Sequence, residues 1–93
     1  MQGMEELEED FARRKLTEAI ENQVADGHPR EAGLVLMALL ERGIPREEAL
    51  WAMGMVLADH INQAMEGDQP FDINCYAKDL LVLSSDPEAT DQA

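Results

Sequence analysis

Apolar residues recur along this chain at the three- and four-residue intervals of a helix, in four blocks separated by glycine and proline. In the first block Ala12, Leu16, Ala19, Ile20 and Val24 follow one row, which predicts a helix over residues 4–26 with that row buried. Leu7 and Phe11 fall off the row, so residues 1–10 are expected to fray or to set those two side chains against another surface. The second block, Leu34 to Leu40, is apolar on every side and predicts a helix over 29–42. In the third, Leu50, Met53, Leu57, Ile61 and Ala64 form the inner face of a helix over 45–66, with Trp51 and Met55 well round from it. Tyr76, Ala77, Leu80 and Leu83 give a fourth helix, over 72–83, its core face. From Ser84 the composition turns polar, which predicts a disordered acidic tail over 84–93. No segment alternates with period two. The expected fold is all-α: one domain over 1–83, a compact bundle of four helices joined by short Gly/Pro turns.

The punctuation between blocks is itself repeated. Gly27-His28-Pro29-Arg30-Glu31 returns as Gly43-Ile44-Pro45-Arg46-Glu47. Glycine suits the left-handed residue just past a helix, and proline suits the first helical position, where its missing N–H costs nothing. Glutamate favours a helix N-terminus. Each copy therefore stops one helix and starts the next, which places His28 at a helix N-cap. Gly67 is the expected stop of the third helix. Asp72 is the expected cap of the fourth, with Phe71 reaching Tyr76 as a hydrophobic staple.

Charge narrows the partners. Twenty acidic and seven basic side chains give a net charge of -13, which opposes approach to nucleic acid or to an anionic membrane. The cluster Arg13-Arg14-Lys15 is expected to neutralise itself against Glu9 and Asp10 at helical i,i+4 spacing. Arg30 and Arg46 are expected to pair with the surplus acid. The longest apolar run, Ala49 to Ala58, is about half a membrane span. With a lone Cys75 and no secretory pattern, the expected setting is the cytoplasm.

Candidate chemistry is sparse. His60 has no carboxylate, cysteine or histidine three or four positions away on its own helix, so a helical zinc pair is absent. Cys75 falls in the first turn of the fourth helix, where the dipole lowers a thiol pKa but Asp72 and Asp79 act against it. There is no P-loop, dinucleotide-binding glycine pattern or nucleophile elbow. No catalytic residue and no cofactor is expected. Gly54 and Ala58, with Gly33 as a further small position, predict closely crossing helix backbones.

From Glu48 through Ile61, then Gly67, Pro70, Phe71, Asp72 and Tyr76, the chain resembles a small bacterial helical domain of unknown function. The likeness covers residues 48–76 and rests on apolar and capping positions. It implies a helical fold and a bacterial source. That pattern often carries histidines at the positions of Glu47 and Trp51, so any site they form is missing here.

Helices two and three are both too apolar to be buried completely in so short a chain. The surplus points to a protein–protein interaction module, expected to form a homodimer through Trp51, Met55, Leu36 and Leu40. Its acidic frame would steer a basic protein partner. The competing reading is a metal- or thiol-dependent protein that uses His60, Cys75 and carboxylates brought together by the fold. It requires His60 within bonding distance of Cys75 or a carboxylate at the edge of a cleft.

Overall fold

Each of the four blocks is a helix in the computed structural model, which describes residues 2–85 with side chains from Glu9 onward. The helices are α1 (Gln2–Asp26), α2 (Arg30–Glu41), α3 (Arg46–Glu66) and α4 (Ile73–Ser84). Among the described residues there is no strand. Leu7, most of the segment expected to fray, and the tail beyond Ser85 lie outside the residues whose side chains are described.

Local chemistry explains the helix ends. Gly27 and Gly43 take φ of +69° and +86°, a region where an L side chain is strained. At Gly27 the His28 N–H bonds the Gln23 carbonyl and the Gly27 N–H bonds that of Val24. At Gly43 the Ile44 and Gly43 N–H groups reach Leu39 and Leu40 in the same way. This paired pattern satisfies carbonyls the helix would otherwise leave open. Pro29 and Pro45 sit at the caps themselves, one residue earlier than expected, so His28 lies outside the helix. At the end of α3 the expected glycine is displaced. Gly67 keeps φ of -88°, and Asp68 takes the left-handed turn at φ 51°, which aspartate tolerates better than most residues.

Asp72 caps α4, accepting from the N–H groups of Asn74 (3.0 Å) and Cys75 (3.2 Å). Phe71 meets Tyr76 with ring centroids 5.5 Å apart, so the staple forms.

The core joins Ile20 of α1, Val35, Leu36 and Leu39 of α2, Leu50, Met53 and Leu57 of α3, and Tyr76 and Leu80 of α4. α1 packs chiefly on α3, and α2 chiefly on α4. A Cβ on Gly54 would stand 3.1 Å from the Leu16 Cβ, so this glycine lets α1 and α3 approach closely. Gly33 does no such work, because nothing lies within 4 Å of its Cβ position. Ala12 and Ile61 were expected inside and are exposed.

Candidate functional site

α2 positions its outer face by burying the opposite one. Ala32, Val35, Leu36 and Leu39 turn inward. Leu34 (55% exposed), Met37 (60%) and Leu40 (37%) remain in solvent. Leu36 is therefore corrected from an interface candidate to a core residue, 3% exposed; within the run Leu34 to Leu40, apolar on every side, hydrophobicity alone does not separate inner from outer positions. Leu40 stays on the surface as expected. Leu34 and Met37 are the side chains missed. The available signal was their row: Arg30, Leu34, Met37 and Glu41 follow one another at intervals of four, three and four, and charged ends mark a solvent-facing row.

α3 and α4 form an antiparallel hairpin, with α3 contributing Ala52, Met55, Val56 and Asp59 to an open groove. Asp79, Val82 and Leu83 complete it from α4, around a volume of about 590 Å³. Met55 is 51% and Val82 66% exposed. Trp51 does not join this surface. It is half-buried, and the Arg13 guanidinium lies 4.8 Å from the centre of its ring, a cation–π contact that covers one face within the chain. Arg13 is thus drawn to Trp51, and the expected Glu9–Arg13 and Asp10–Arg14 pairs are not among the ion pairs of the described residues. Arg46 does meet an acid, Glu21, at 3.6 Å. Arg30 has no such partner among the described residues.

The hairpin also joins two groups far apart in sequence. His60 is buried, and its Nε2–H donates to Asp79 Oδ2 at 2.5 Å. His60 lies six residues before the end of α3, and Asp79 six after the start of α4, so antiparallel packing sets them side by side. That symmetric count was the signal for Asp79. Phe71 and Tyr76 stand edge-on to the imidazole at 6.3 and 5.9 Å. A neighbouring cleft of about 210 Å³ includes His60, Asp72 and Cys75 in its lining. The geometric requirement of the metal- or thiol-dependent reading is met for His60 by Asp79. The thiol is less suited to it. A hydrogen bond to Asp72 and that carboxylate's charge hold Cys75 above its ordinary pKa, keeping it protonated and weakly nucleophilic. Among the described residues, no three His, Cys, Asp or Glu side chains are placed to hold a metal ion.

Tyr76 closes the other side of α4. Its hydroxyl donates to Gln23 Oε1 at 2.7 Å, and burial pushes its pKa up to about 12. Among the described residues, no helix is long and apolar enough to cross a membrane. No protein-family model, curated protein or solved structure matches this chain.

Proposed function

We propose that this protein is an interaction module that self-associates through the outer face of α2. The observation that carries the reading is the exposed row Arg30, Leu34, Met37, Glu41. Its spacing reads the same from either end, so an antiparallel two-fold pair can set every member of the row against another member. When two α2 helices pack antiparallel about a centre between Val35 and Leu36, Leu34 faces Met37 of the second copy. The same register sets Arg30 against Glu41 of the second copy. Apolar contact at the middle and opposite charges at both ends are thus satisfied by one symmetry operation.

Open space at Gly33 supports the reading. A glycine inside a helix costs roughly 1 kcal/mol relative to alanine, and none of the described residues uses the room it leaves. Trp51 and Leu36 play no part in this interface. The reading assigns no catalytic residue and no cofactor. A cytoplasmic setting suits the lone Cys75.

Thiol or metal chemistry is the weaker reading. The Nε2 of His60 is committed to Asp79, and Asp72 suppresses the Cys75 thiolate.

Analytical ultracentrifugation across a concentration series tests the proposal. The mass should rise toward twice that of the chain, and Met37→Glu should abolish the rise. A monomer at every concentration would overturn it.

A further inference from the structure

We propose that the groove between α3 and α4 docks a basic amphipathic helix from a partner protein. The groove shares no residue with the outer row of α2 and does not depend on self-association.

Its shape is that of a helix seat. On α3, Ala52, Met55, Val56 and Asp59 stand at i, i+3, i+4 and i+7, a strip about 11 Å long at the helical rise. On α4, Asp79, Val82 and Leu83 stand at i, i+3 and i+4. An incoming helix with apolar side chains at the same intervals can lay them between these two ridges. Met55 and Val82, the most exposed apolar side chains of the groove, flank that path.

Charge selects the occupant. The antiparallel hairpin brings both carboxylates, Asp59 and Asp79, to the end of the groove nearest the α3–α4 turn. Asp59 is held by the Gln63 Nε2–H at 3.0 Å, and Asp79 by His60. Both stay exposed, so each retains acceptor capacity for a lysine or arginine of the partner. Among the described residues no basic side chain lines the groove; Arg42 donates to the Leu83 carbonyl at 3.2 Å, at the end away from the two carboxylates. Asp59 and Asp79 repel an acidic surface and steer a basic helix toward the groove.

The test uses a fluorescein-labelled amphipathic peptide of leucine and lysine, about four helical turns long, and a counterpart with glutamate for every lysine. Fluorescence anisotropy on the full chain should show binding of the first and none of the second. Met55→Ser and Val82→Ser leave the net charge unchanged and should each weaken binding about fivefold. Asp59→Asn should weaken it about threefold, whereas Glu18→Gln, the same charge change on α1, should alter it less than twofold. Asp59 is chosen because its replacement leaves the His60–Asp79 bond intact, and circular dichroism checks that every variant keeps its helical content. The proposal is overturned by absence of binding, by serine variants that bind like the parent, or by equal losses for Asp59→Asn and Glu18→Gln. The last result would mean bulk electrostatics without a seat. A doubling of mass that Val82→Ser abolishes would assign the groove to a second copy and overturn it equally.

Discussion

Arg30→Glu and Glu41→Arg should each weaken self-association, and the two together should restore it. In the antiparallel register every α2 substitution acts twice, because the two-fold repeats each contact. An exposed ion pair contributes about 0.2–1 kcal/mol. Replacing two attractive contacts by two like-charge contacts should therefore cost about 1–2 kcal/mol, or roughly tenfold in Kd. The starting point is a weak dimer. Leu34, Met37 and Leu40 together leave roughly one and a half side chains' worth of apolar surface to bury per copy. At ~1.5–3 kcal/mol for a whole side chain the two copies gain about 5–9 kcal/mol. Lost translational and rotational freedom offsets at least about 4 kcal/mol of that, which leaves at most about 5 kcal/mol and places Kd at roughly 0.2 mM or weaker. Sedimentation equilibrium over that range is the assay.

Two features separate register from trivial effects. Glutamate at position 30 and arginine at position 41 both suit the α2 macrodipole, so neither single variant weakens the helix itself. Glu41→Arg also makes the chain less acidic. If net repulsion alone governed association, this variant would associate more tightly; the register requires the reverse. A dimer that loses mass with Met37→Glu but ignores both charge reversals would refute the register and leave self-association through α2 standing. Failure of the charge-swapped double variant to recover would refute it as well.

The other predictions concern the fold. Gly33→Ala should stabilise the monomer by roughly 0.5–1 kcal/mol, whereas Gly54→Val should destabilise it by roughly 1–3 kcal/mol by pressing on Leu16, both read by urea unfolding. Leu36→Ala should cost about 2–5 kcal/mol; a loss under 1 kcal/mol would place Leu36 on the surface after all. Hydrogen bonds from the Cys75 and Asn74 backbone to Asp72 depress its pKa below 3.8. Its contribution to stability is therefore full above that value and lost as pH falls through the lower folded one. Asp72→Asn should flatten that acid limb of the thermal midpoint and lower the pH at which Cys75 reacts with iodoacetamide. Tyr76, the chain's sole tyrosine, should ionise near pH 12 in the folded state when followed by ultraviolet absorbance. Its neutral form is favoured by the fold, so the stability it supplies is present below pH 10 and lost as pH rises through about 12. Ionisation near 10 in a chain still folded would contradict its burial.

The four helices were legible because their determinants are local. A glycine free to take positive φ, a proline before the first turn and an Asp72 side chain in reach of two amides act within a few residues. The displaced stop at Asp68 shows the limit of such reasoning at about one residue. The Phe71–Tyr76 contact was readable on the same grounds, since cap and staple lie within one turn.

What the sequence by itself determined, then, was the number of helices, where they begin and end, and the excess of apolar surface in α2 and α3. Periodicity also marked the inner rows of α1, α3 and α4, and tertiary structure decided which side of α2 became surface. α2 is apolar on every side from Leu34 to Leu40, so only the charged ends of one row, Arg30 and Glu41, set Leu34 and Met37 apart from Leu36 in the sequence; packing against α4 and the rest of the core turns Leu36 in and leaves Leu34 and Met37 out. Trp51 has one ring face covered by Arg13, thirty-eight positions earlier, and His60 gained Asp79 from across a turn. These contacts depend on how helices lie against one another. Helical periodicity encodes the direction of a side chain about its own axis and nothing about what will stand opposite it.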